Sequence, residues 1–81
     1  PTKQMAHTSL ENGLSVLEAY VLSHLVMSKG EARRQIRNGG LRVNDVLVTD
    51  ENMVLTPKDI APEGVIKLSL GRKRHVLIRP I

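Results

Sequence analysis

The sequence predicts an α+β fold, a two-helix corner followed by a small, mostly antiparallel sheet of about four strands. Two observations carry that expectation. A Ser-x-x-Glu pattern occurs twice in the first half, at Ser15–Glu18 and Ser28–Glu31, each time opening a stretch with helical apolar spacing. After Gly39-Gly40 the period changes to two, with short apolar–polar alternations separated by turn residues. The chain has 81 residues, enough for one small domain and too few for two.

Taken in order, residues 1–13 (PTKQMAHTSLENG) are polar, show no sustained period and are expected to be a linker, leaving 14–81 as the folded domain. Leu14, Leu17, Val21 and Leu25 follow a helical period behind the Ser15 capping box, which places a first helix near Val16–Leu25. A second helix should run from about Lys29 to Asn38, capped by Ser28 and stopped by Gly39-Gly40, which supply the positive-φ exit. Two capped helices joined by so short a turn form a corner. Leu41-Arg42-Val43 and Val46-Leu47-Val48 flank Asn44-Asp45, a two-residue hairpin signal. Thr56-Pro-Lys-Asp59 reads as one capped helical turn with proline at its first position. Ile66, Leu68 and Leu70 alternate with Lys67 and Ser69, and Gly71-Arg-Lys-Arg74 reverses the chain into a last strand.

Charge is segregated along the chain. There are 12 Lys and Arg against 8 Asp and Glu, a net charge of +4. Lys29, Arg33 and Arg37 are four apart and line one face of the second helix; Arg34 widens the strip, and the helix offers none of these arginines an acid four residues away. Lys67, Arg72, Lys73, Arg74 and Arg79 form a second cluster free of acids, whereas Asp45–Glu63 holds five acids and one lysine. A helix shaped for solubility alone usually mixes its signs. Two cationic elements on one small chain suit an extended polyanion, and seven of the 12 cations are arginines, whose planar fork makes bidentate contacts with phosphate. Tyr20 is the sole aromatic among Phe, Trp and Tyr, so nucleic acid would be bound by cations, amides and backbone groups without aromatic stacking platforms.

Other chemistries find little footing. There is no cysteine, and His7, His24 and His75 are scattered without metal-ligand spacing, so no metal is expected. No apolar run approaches the roughly 20 residues of a membrane span, and no membrane partner is expected. Ser28 has no His or Asp arranged around it and reads as a helix cap. Asp50-Glu51 lies in a loop without the apolar setting that would shift either carboxyl. No catalytic residues are expected in this chain.

The stretch SKGEARRQIRNGGLRVND, Ser28 to Asp45, resembles the signature of the S-four RNA-binding domain, also described as the alpha-L motif. That family has a capped second helix with exposed arginines, a glycine exit, and Val-Asn-Gly in its first hairpin; here Asp45 stands where the family has glycine. The double glycine and the closing KLSLGRKRHVLIRPI are further similar to the C-terminal domain of bacterial-type and mitochondrial tyrosyl-tRNA synthetases. The resemblance spans about Ser15 to Arg79, and its specific part is Ser28–Asn44.

The resemblance implies RNA binding by Lys29, Arg33, Arg34 and Arg37 on the helix, by Arg42 and Asn44 at the hairpin, and by Arg72, Lys73 and Arg74 at a far rim. The implied partner is tyrosine tRNA or another structured RNA. The implied parent is a tyrosine–tRNA ligase, homodimeric through its catalytic domain, in a bacterial cytoplasm or a mitochondrial matrix. No cofactor is expected in this domain, ATP belonging to the parent's catalytic domain. Two alternatives stand beside it. One is the same module in a ribosome-associated, RNA-modifying or intron-splicing protein; the other is a protein-interaction module whose acidic and basic halves pair in a dimer.

Overall fold

The computed structural model describes all residues 1–81. Three helices lie over one face of a five-stranded sheet, with a two-stranded ladder beside them. The elements are β1 (Thr2–Met5), α1 (His7–Glu11), β2 (Leu14–Ser15), α2 (Val16–Leu22), α3 (Lys29–Arg37), β3 (Leu41–Val43) and β4 (Val46–Leu47). They continue with β5 (Val54–Leu55), a 3-10 turn (Pro57–Asp59), β6 (Ile66–Leu70) and β7 (Arg74–Pro80). The large sheet runs β1-β7-β6-β3-β4 and is antiparallel except at β1, while β2 pairs with β5. The α+β class, the helix corner and the mostly antiparallel sheet are as expected; β3, β4, β6 and β7 are the anticipated strands.

Residues 1–13 differ from the linker expected there. β1 pairs in parallel with β7, from Thr2 opposite Leu77 to Met5 opposite Pro80. Main-chain bonds extend the join at both ends: Leu77 N donates to Pro1 O at 3.0 Å, and Ile81 N donates to Met5 O at 2.8 Å. α1 then drops Leu10, fully buried, into the core. The strand is held by backbone groups along an edge and shows its side chains mostly to solvent, so its sequence carries no apolar alternation.

Residues opposite one another in the ladder share a face, and successive residues alternate. The rows Leu41–Leu70, Val43–Leu68–Val76 and Ile66–Ile78 therefore point to one side. There they join Leu10, Val16, Leu17, Ala19, Tyr20, Ala32 and Ile36 from the helices in a single apolar cluster. Arg42, Lys67, Ser69, His75 and Arg79 have the opposite parity and point away from the helices. The Tyr20 hydroxyl reaches across the core to the sheet, its one proton shared between the carbonyl oxygens of Arg42 at 2.6 Å and Ser69 at 3.0 Å. Burial pushes that hydroxyl well above the usual ionisation range of a phenol.

The two helix starts are built differently. Ser28 Oγ accepts from Glu31 N at 3.1 Å, and Glu31 Oε1 accepts from Met27 N at 2.8 Å, a reciprocal cap displaced by one residue from the usual box. Ser15 makes no side-chain cap. It is part of β2, and the strand pairing continues to the first helical amide, Val16 N donating to Met53 O at 2.9 Å. The first helix also ends earlier than expected. Ser23 Oγ turns back to donate to Tyr20 O at 2.8 Å, and His24 adopts φ 65°. The bend still delivers Leu25 and Val26 to the core.

Candidate nucleic-acid interface

α3 buries only Ala32 and Ile36. Its remaining surface carries Lys29, Arg34 and Arg37, all exposed. Arg33 sits lower on the helix, half-buried, with Nε 3.7 Å from Glu51 Oε1. The acidic excursion thus returns to the helix and supplies a counter-charge from 18 residues away in the sequence, beyond the reach of any i,i+4 pattern. Such half-exposed pairs contribute little to stability, but this one draws Arg33 toward Glu51.

The helix stops as its glycines require. Gly40 N donates to Gln35 O at 2.8 Å and Gly39 N to Ile36 O at 3.0 Å, with Gly39 at φ 71°: a Schellman motif. A Cβ on Gly40 would lie 2.6 Å from Gln35 Oε1, so the tight exit also excludes larger residues unless Gln35 moves. Gly40 O then accepts from Gly71 N at 2.9 Å. This bond ties the C-terminal end of α3 to the β6–β7 turn, bringing the end of the helix that carries Arg37 beside the turn that carries Arg72, Lys73 and Arg74. Lys29 lies at the other end of the helix, about 12 Å away at 1.5 Å per residue.

On the sheet face turned away from the helices is a cleft of about 220 Å³ lined by no hydrophobic residue. It gathers Arg42 from β3, Lys67 and Ser69 from β6, and Arg72, Arg74 and His75 from the turn and β7; Asp45 is its one acid. Arg74 and Lys73 also border a second hollow, between the turn and the exit of α2 at Ser23–Leu25, so the basic turn presents cations to both sides of the sheet.

Asn44 is engaged inside the domain. Its Nδ2 donates to Asp59 O at 2.6 Å and its Oδ1 accepts from Lys67 N at 2.9 Å, clamping the hairpin turn to the 3-10 segment and to β6. Asn44 and Asp45 both adopt left-handed backbone, φ 50° and 68°, as a tight two-residue hairpin between paired Val43 and Val46 demands. Asp45 Oδ1 lies 3.1 Å from Lys67 Nζ.

The expected site residues therefore divide. Arg37, Arg42, Arg72, Lys73 and Arg74 lie around the Gly40–Gly71 junction, Lys29 and Arg34 extend the surface along α3, Arg33 is paired, and Asn44 braces the fold. Lys67, which the charge pattern places only in the second cationic cluster, also lines the cleft, and its position between the apolar Ile66 and Leu68 marks it as pointing away from the core.

The family model described as the tyrosine–tRNA ligase SYY-like C-terminal domain matches residues 1–78. A tyrosine–tRNA ligase of Nitrobacter winogradskyi is 60% identical over 80 residues, which are 99% of this chain and 19% of the relative. Those of Xanthobacter autotrophicus and Rhizobium meliloti are 54% and 44% identical over the whole chain. The chain spans about one fifth of the length of these relatives.

Proposed function

We propose that this chain, which belongs to the tyrosine–tRNA ligase SYY-like C-terminal domain family, grips the folded backbone of tRNA with α3 and the basic end of the sheet. The observation that carries this reading is the Gly40–Gly71 bond, which holds the helix exit against the arginine-bearing turn and the cleft containing Arg42. Lys29, Arg34, Arg37, Arg42, Arg72, Lys73 and Arg74 act as phosphate and sugar ligands. Arg33 contributes where RNA displaces Glu51, and Asn44 keeps the hairpin in place. Contacts of this kind orient an RNA by its shape and carry little sequence information. The choice of tyrosine, and the chemistry that uses ATP, belong on this reading to other parts of a longer homodimeric ligase. The bacterial relatives favour a cytoplasmic setting over a mitochondrial one.

The test is charge reversal of Arg34 and Arg37 together in the full gene product, with tRNA binding followed by fluorescence anisotropy at several salt concentrations. Wild-type affinity should fall by several log units per decade of salt if about six phosphates are engaged. The double variant should lose binding at physiological salt while keeping its melting temperature. Binding equal to wild type would remove α3 from the interface.

A further inference from the structure

We infer that Lys67 is a further phosphate ligand and that Asp45 holds it in check, so that this ion pair sets the upper limit of RNA affinity. The inference rests on the RNA-binding reading above and concerns two residues to which that reading gives no role.

Lys67 lies on the open face of the sheet, in the cleft with Arg42 and Arg74, and its ammonium is the one cation of that cleft engaged by an acid. Its backbone position is fixed twice over: Lys67 O accepts from Asn44 N at 2.8 Å, and Lys67 N donates to Asn44 Oδ1 at 2.9 Å. The ammonium therefore starts from a defined point near the cationic cluster. Removing its partner would leave it directed at any phosphate lying across Arg42.

Asp45 is the less expected member of the pair. It occupies φ 68°, where glycine is comfortable and most other residues are strained, although Asp and Asn tolerate the region better than the rest. Its side chain is 74% exposed, so the fold does not need it as a buried partner. An exposed pair of this kind is worth little to stability. A carboxylate held against the Lys67 ammonium, however, competes with an incoming phosphate for that cation. A residue tolerated with backbone strain, and acting against the surrounding charge, is better explained by control of affinity than by support of the fold.

The experiment compares wild type, Asp45→Asn, Asp45→Gly, Lys67→Gln and the Asp45→Asn/Lys67→Gln double variant in the full gene product, using anisotropy with tRNA across a salt series. Asp45→Asn and Asp45→Gly should both tighten binding, by about fivefold at low salt, as the freed Lys67 ammonium gains one phosphate at contact range. The salt slope should steepen by roughly 0.7 to 0.9 as Lys67 takes up one more phosphate. In the Lys67→Gln background, Asp45→Asn should give no such gain. Asn and Gly both suit the turn, so a matching response from the two separates the loss of charge from any change in the hairpin. Unchanged or weaker binding by Asp45→Asn would overturn the inference, weaker binding marking Asp45 as an RNA contact itself. A full gain that persists without Lys67 would overturn it too, because the carboxylate would then act through the general field. Where Arg34 and Arg37 reversal still abolishes binding, these failures count against the ion pair alone; insensitivity to that reversal counts against the wider reading.

Discussion

α2 and α3 share a Ser-x-x-Glu start and pack against each other, yet α2 buries four of its seven residues and α3 two of its nine. α2 begins where a strand ladder already satisfies its first amide, and ends in a bend that puts Leu25 and Val26 into the core. α3 stands on its own cap and its own glycine stop, and turns most of its surface outward. The difference shows how a small domain divides its labour. One helix is welded into the apolar cluster on most sides, and the second is free to carry like charges because the first already organises the core. Cations on a helix that must also be buried would incur desolvation costs of several kcal/mol per ion.

The largest effect that should separate the two helices is in stability. Leu17→Ala in α2 removes a buried leucine and should cost about 3 kcal/mol in a urea titration. Arg34→Ala in α3 should leave the urea midpoint unchanged while weakening RNA binding. A loss of stability on Arg34→Ala as large as that on Leu17→Ala would erase the distinction between supporting and displaying helix.

A second difference comes from Tyr20, the sole tyrosine in a chain without tryptophan. Its hydroxyl keeps its proton in the folded state above the pH at which an unfolded tyrosine, with a pKa of about 10, ionises. Above that pH the unfolded chain binds fewer protons than the folded one, so stability should fall as pH rises, and this contribution is fully retained below it. Phenolate absorbance near 295 nm should therefore rise together with loss of the far-ultraviolet helix signal. A phenolate signal appearing in a fully helical protein would mean that the hydroxyl is open to water. Tyr20→Phe should lose about 1 kcal/mol of stability as the bonds to the Arg42 and Ser69 carbonyls disappear.

The smallest effect tests the two starts directly. Ser28→Ala should destabilise by about 1 kcal/mol, the usual magnitude for a lost N-cap. Ser15→Ala should fall within a few tenths of a kcal/mol, since Ser15 makes no side-chain cap. Equal losses in thermal melts of the two variants would show that Ser15 caps α2 in solution.

These contrasts mark what was legible in the sequence. The corner, the stop at Gly39-Gly40 and the Asn44-Asp45 hairpin were readable because each is decided by residues within a few positions, through caps, positive φ and alternation. Ser15 differs from the expected cap because it lies in a strand whose partner is nearly forty residues on, and main-chain pairing leaves no trace in residue type. The same holds for β1, whose pairing is written in backbone geometry. In the candidate interface, the cations were legible as a population but their allegiances were not: Arg33 to Glu51, Lys67 to Asp45 and Asn44 to Asp59 are all set by tertiary approach.

The parallel seam between the first and last strands has a mechanical consequence. Thr2 lies beside Leu77 and Met5 beside Pro80, so a pull on the two ends of the chain in opposite directions slides one strand along the other. Under that loading the seam's hydrogen bonds stretch together and must give way as a set, whereas a hairpin pulled open at its mouth yields one rung at a time. Tension arriving through a flexible tether would meet a shear joint, and the rest of the sheet would keep its register while the joint held.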